Sequence, residues 1–186
     1  MPTIIFNKPY GVLSQFTREH GHSSLGDFKL PGGIYPAGRL DHDSEGLLLL
    51  TSDGPLQARI ADPRHKMPKI YWAQVEKEIT PEAVIKLRAG LTLNDGPTLP
   101  CGARVLPDPG LLPRTPPIRF RKTVPTSWTE IILKEGRNRQ VRRMLAAVGF
   151  PVLRLIRRAI GPLTLENLEP GQWRELTEKE VKSLRV

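Results

Sequence analysis

Residues 38–54 read GRLDHDSEGLLLLTSDG, an acidic loop bracketed by glycines that runs straight into four leucines. Leucine at every position from 47 to 50 leaves no solvent-facing side, so this segment is buried on both faces, and the turn signal Ser52-Asp53-Gly54 ends it. A carboxylate at the mouth of such a segment is carried on a rigid element while staying open to a ligand. Upstream, residues 3–6 (TIIF) predict a short strand closed by a loop, Asn7-Lys8-Pro9-Tyr10-Gly11, and residues 17–36 are rich in Gly, His, Ser and Pro and read as irregular. Downstream, a short helix is expected from about Pro55 to Ala61 and a strand over 70–75, where aromatic and β-branched residues cluster. Thr80 as N-cap, Pro81 at the first helical position and Gly90 as the stop delimit a second helix.

Residues 107–117 hold five of the 19 prolines and form an exposed loop, able to hinge two subdomains or to touch a partner. Beyond it a strand is expected over 128–133, a helix over 138–148 and a strand over 151–156. A capping box, Thr177 with Glu180, opens a final helix. Strands and helices alternate without the regularity of a doubly wound sheet, and no repeat of solenoid period is present. The fold class is therefore α+β with a mostly antiparallel or mixed sheet.

Composition narrows the partner. The 186 residues include 28 Lys and Arg against 19 Asp and Glu, a formal net charge of +9. A surplus of that size points to a polyanion, and nucleic acid is favoured over a membrane because no basic amphipathic helix with an aromatic face and no lipidation signal is present. One cysteine, Cys101, excludes an internal disulfide framework and fits a reducing compartment. Four histidines (His20, His22, His42, His65) show no zinc-like spacing, and His20 and His22 read as solvated loop residues. No signal-length apolar segment and no stretch of membrane-spanning length occurs, so the cytoplasm is the expected location.

Two stretches bear chemistry. Asp41, Asp43 and Glu45 followed by Gly46 imitate the first half of a calcium loop, but the twelfth position is Ser52 and four leucines intervene, so that reading fails and no metal is expected. From chemistry alone, a solvated turn whose carboxylates merely cap the next segment stands level with a catalytic loop. The second stretch, residues 134–158, holds eight Lys or Arg and one acid. Val141, Met144, Leu145 and Val148 define the buried face of its helix. Arg139 and Arg143 lie opposite that face, where they can meet phosphates, and Arg142 lies on the flank, roughly 110° from the centre of the face.

Four ordered motifs are similar to those of the RsuA/RluE branch of the pseudouridine synthases: NKPYGVLS at 7–14, GRLDHDSEGLLLLTSDG at 38–54, KIYWAQV at 69–75 and EGRNRQVRRMLAAVGFPVLRLIRRAIGPLTL at 135–165. The resemblance implies a bisected mixed sheet with flanking helices and a central active-site cleft, over one catalytic domain spanning 1–186, with two subdomains around the cleft as the finer alternative. It implies Asp41 as the catalytic aspartate, Tyr71 as the residue packing on the target base, Arg142 as the partner of the aspartate and Leu155 as a pocket-lining residue. Arg39, Arg139, Arg143 and Arg158 are the expected RNA contacts. Ser44 stands where the family usually has Thr, which keeps the hydroxyl. The small N-terminal S4-type domain of most relatives is not expected here, because the first motif begins at residue 7.

The implied reaction isomerises uridine in ribosomal RNA of the large subunit, by a monomer, without membrane, metal or cofactor. It breaks the C1′–N1 bond, turns the uracil and rejoins it through C5, with no net redox change or hydrolysis. An ionised carboxylate serves whether it attacks C1′, adds to the ring or removes a ribose proton, and the sequence does not choose among these. The target base must leave the stack to be reached. Two other classes share the basic patch: a catalytically silent RNA-binding or ribosome-assembly protein, which would not need Asp41, and a nuclease or glycosylase, which would release fragments or free base.

Overall fold

The computed structural model describes residues 1–186. In chain order it contains β1 (Thr3–Lys8), β2 (Glu45–Thr51), α1 (Gly54–Ala61), β3 (Lys69–Glu76) and α2 (Pro81–Ala89). Then follow β4 (Gly102–Leu106), β5 (Thr126–Leu133), α3 (Gln140–Ala147), β6 (Val152–Ile160), β7 (Trp173–Glu175) and α4 (Glu178–Ser183). Two compact units are distinguished, one made of residues 1–67 and 157–186 and the other of residues 68–156, so β6 carries the chain from the second unit back to the first. The sheet is mixed and mostly antiparallel, as the sequence predicts.

In the first unit the strand order is β7-β1-β2-β6. β1 and β2 run antiparallel in a register that sets Ile4 against Leu50, Phe6 against Leu48 and Lys8 against Gly46. Every residue of both strands is buried, including the four leucines at full burial. At roughly 1.5–3 kcal/mol per buried leucine side chain, this quartet is a principal stabilising element. Phe6, Leu48 and Leu50 join Ile4, Val12, Leu25 and Ile34 in one apolar cluster. Asp53 caps α1 by accepting from the Leu56 amide at 3.0 Å, and the Arg185 guanidinium pairs with its other oxygen. β1 is longer than expected: it continues through Asn7 and Lys8, because pairing with Leu47 and Gly46 outweighs the loop preference of Asn-Lys-Pro.

In the second unit the order is β6-β3-β5-β4. β3 and β5 pair along their whole length, with Tyr71 opposite Ile131 and Trp72 opposite Glu130. α2 and α3 bury Ala83, Val84, Leu87, Val141, Met144 and Leu145 against Ala73, Val75, Ile131 and Leu155. The Thr80 hydroxyl caps α2, as read from the sequence. α3 is shorter than residues 138–148, since Arg139 takes a left-handed conformation (φ 49°) and the helix begins after it. Gln140 replaces a conventional cap by accepting from the Arg137 amide and donating to Glu135. At the other end Gly149 (φ 93°) lets the Phe150 amide reach the Leu145 carbonyl at 2.9 Å.

Gly46 is the tightest point of the first unit. Its φ is +111°, and a Cβ there would lie 2.3 Å from the Arg157 carbonyl oxygen and 2.7 Å from its nitrogen. Gly46→Ala should therefore destabilise the protein by at least ~2 kcal/mol, combining overpacking with backbone strain. Urea unfolding checks this; a loss below ~0.5 kcal/mol would show that the two strands separate without cost.

Candidate active site

Asp41 opens a tight turn immediately before β2, closed by the Ser44 amide donating to the Asp41 carbonyl at 3.0 Å. Both neighbours of Asp41 are gripped by the segment 7–14. The Ser14 hydroxyl donates to the Leu40 carbonyl at 2.7 Å and accepts from the Leu40 amide at 3.1 Å. On the other side, the Gly11 amide donates to the His42 carbonyl at 2.6 Å. Asp41 itself is half-buried, and the backbone on either side of it is held. The first two motifs are thus one structural device: one strand-and-loop holds the turn that the other supplies.

Lys8 lies under this turn and is fully buried. Its ammonium donates to the Val12 carbonyl at 2.7 Å and the Pro9 carbonyl at 2.9 Å, with the His42 carbonyl at 3.5 Å. Burial lowers its pKa to about 7, opposed by the nearby carboxylates of Glu45, Asp43 and Asp41 and reinforced by the Arg157 charge. Arg157, also buried, donates from Nε to the Leu47 carbonyl at 2.8 Å and from Nη1 to the Arg39 carbonyl at 3.5 Å. Two buried cations therefore lie beside a loop bearing three carboxylates. Sequence reasoning missed both. By sequence alone Lys8 falls in a loop and Arg157 in a basic stretch, and the one available signal is a lysine next to a strand of TIIF character.

The other predicted residues of this unit are Arg39 and Arg158. Arg39 is exposed, with Nη2 donating to Gln15 at 3.3 Å. Arg158 is half-buried; desolvation lowers its pKa and the Glu166 carboxylate opposes that. His22 is not simply solvated: its ring packs on that of His42 with centroids 4.4 Å apart, steadying the turn from outside.

In the second unit, Tyr71 projects from β3, half-buried against the core, and Leu155 belongs to that core at 6% exposure. Arg142 is half-buried on α3, its Nε shielded from solvent. The basic stretch 134–158 is not one free surface. Arg143 forms a two-point pair with Asp95 (2.8 and 3.2 Å), and Arg137 joins the same carboxylate at 3.1 Å. Arg154 and Arg157 are buried and bind backbone carbonyls. The helical wheel places Arg143 away from the apolar face but is blind to Asp95, which comes from a distant turn. Arg139 is exposed at the entrance of α3.

Cys101 is no nucleophile at neutral pH, since burial and then the Glu135 charge push its thiol up to about 11. No group of three or more His, Cys, Asp or Glu residues converges in a way that could hold a metal ion.

The lowered pKa of Lys8 has a sign that can be checked. Between pH 7 and 10.5 the unfolded chain binds this proton and the folded protein does not, so the Lys8 contribution to stability rises with pH across that window. Lys8→Met should remove that rise, and should cost ~1–3 kcal/mol by leaving buried carbonyls without their donor. Urea denaturation of both proteins at pH 7 and pH 9.5 measures the difference. Equal pH slopes would show that Lys8 titrates normally.

A model of the RNA pseudouridylate synthase family matches residues 2–147. Ribosomal large subunit pseudouridine synthase E of Xanthomonas campestris pv. campestris is 55% identical over 185 residues, covering 98% of this chain and 99% of that protein. The Vibrio vulnificus protein of the same name is 53% identical over 174 residues, 94% of this chain and 74% of its own length. A crystal structure of pseudouridylate synthase has a TM-score of 0.82 at 30% identity, covering 98% of this chain and 73% of the other. A turn-borne aspartate gripped by the segment 7–14, a family match across most of the sequence and more than half identity over nearly its whole length together place this chain in the RNA pseudouridylate synthase family.

Proposed function

We propose that this protein isomerises a uridine of large-subunit ribosomal RNA to pseudouridine, with Asp41 as the catalytic residue. The observation that carries the assignment is the two-sided grip on the backbone around Asp41, from Ser14 at Leu40 and from Gly11 at His42, which holds this half-buried aspartate in one place. The names of the relatives supply the substrate. In the reaction the C1′–N1 bond breaks and a C1′–C5 bond forms; the proton leaves C5 and N1 gains one, so atoms and charge balance with no external reagent. The same residues are read as one catalytic module acting as a monomer in the cytoplasm. No helix is long and apolar enough to cross a membrane.

Tyr71, Arg142 and Leu155 are proposed on their motifs to serve the same uridine. Tyr71 offers an aromatic face to the flipped base, worth ~1–3 kcal/mol by analogy with single-strand binding. Arg142 is the proposed charged partner of the catalytic carboxylate, and its guanidinium keeps its charge at every physiological pH. Leu155 lines the base pocket. Arg39 and Arg139, both exposed, are proposed as phosphate contacts. Arg143 and Arg158 join them only in competition with the Asp95 and Glu166 carboxylates.

A silent RNA-binding protein would tolerate loss of the carboxylate. Asp41→Asn should instead abolish pseudouridine formation, by more than ~10²-fold, while RNA affinity stays within about threefold. Single-turnover assays on a large-subunit rRNA fragment, scoring pseudouridine, free uracil and strand cleavage together, decide it; an active Asp41→Asn enzyme overturns the assignment.

Arg142→Ala should lower single-turnover rate far more than affinity. Arg139→Ala should instead flatten the dependence of log affinity on log salt by roughly one unit. If Arg142→Ala alters binding alone, its catalytic role is lost.

A further inference from the structure

The loop between β4 and β5, residues 107–125, carries more chemistry than its prolines suggest. No acid occurs from Pro109 to Thr129, while Arg114, Arg119, Arg121 and Lys122 all fall inside it. Among them Phe120 is 82% exposed, an unusual position for a phenyl ring. Two buried or half-buried guanidiniums tie the first half of the loop down. Arg154 donates to the Leu112 carbonyl at 2.9 Å, and Arg114 donates to the carbonyls of Pro116, Pro117 and Leu153 at 2.8, 3.2 and 3.2 Å. The far end is held by the Lys77 amide on the Pro125 carbonyl at 2.7 Å. Residues 119–123 are left as an exposed tip between two fixed ends. Arg121 approaches Glu76 only at 3.7 Å.

We propose that this tip is a binding site for unpaired RNA, in which Phe120 stacks on a base while Arg119 and Lys122 meet the flanking phosphates. Aromatic rings interleaved with cations are how sequence-tolerant single-strand sites are built, because every base has a π-face and every linkage a charge. The proline-rich, tethered loop lowers the entropic cost of presenting the ring. A protein partner would be expected to meet an apolar patch with some opposite charge nearby, and this tip has three cations and no acid of its own. The site adds a contact that the basic stretch 134–158 does not include. It rests on the reading that ribosomal RNA is the substrate.

The test uses the full chain and a large-subunit rRNA fragment carrying 2-aminopurine at successive unpaired positions. The wild-type protein should quench the probe at one position. Phe120→Ala and Phe120→Leu should both lose that quenching and weaken binding at least about fivefold, whereas Phe120→Trp should retain both. Arg119→Gln combined with Lys122→Gln should lower the slope of log affinity against log salt by roughly 0.7 for each charge removed, and Lys86→Gln, an exposed charge on α2, should not. Because Phe120 is exposed, folding is not at stake. Phe120→Ala binding as tightly as wild type overturns the proposal, as does Phe120→Leu matching Phe, which would mark a plain apolar contact. Self-association lost in Phe120→Ala with RNA binding intact assigns the tip to protein contact and likewise overturns it. A wild-type protein that neither binds nor modifies any large-subunit fragment would sink the substrate reading itself.

Discussion

Everything in the first unit is arranged around a negatively charged turn held on a buried strand. Leu47–Leu50 puts apolar side chains on both faces of β2, so the strand has one stable position, and the turn before it inherits that position. Holding three carboxylates there would be unfavourable by mutual repulsion alone. Lys8 and Arg157 offset it from below, donating to backbone carbonyls of the turn (His42), of β2 (Leu47) and of the segment that grips the turn (Val12). The loop thus keeps Asp41 in place through its backbone.

The pKa of Lys8, about 7, shows that burial outweighs the acidic turn without cancelling it. Burial drives the ammonium toward neutrality and the acidic turn draws it back. A fully buried lysine with no acidic neighbours would shed its proton; one with a full salt bridge would keep it. With burial dominant, Lys8 serves chiefly as a donor to carbonyls. Gly46 belongs to the same arrangement, since only a residue without Cβ lets β2 lie so near the Arg157 backbone.

Arginines do unlike work in this protein, and sequence position alone does not sort them. Arg154 and Arg157 are structural, Arg137 and Arg143 share Asp95, and Arg39 and Arg139 are exposed. The formal charge of +9 therefore overstates the field that a nucleic acid meets at the stretch 134–158. It understates it at the 119–122 tip, where exposed cations stand beside an exposed ring. Counting charges identifies the class of partner; only burial and pairing show where that partner can be met.

The sequence by itself determined what local pattern can encode. Leucine on both faces declares a buried segment, which the structure shows to be a strand, Thr80-Pro81 and Thr177–Glu180 declare helix starts, and the calcium reading fails on Ser52 and the leucines. The motif around Asp41 was legible as well, because its glycines, acids and apolar run are adjacent in the chain. Tertiary structure alone decided which distant groups meet. Lys8 becomes a buried donor only through pairing with β2, Arg143 is tied up only because Asp95 arrives from elsewhere, and the left-handed Arg139 shortens α3 against its own periodicity. The physical reason is range: periodicity and capping act over a few residues, whereas desolvation and ion pairing depend on neighbours set by the whole fold.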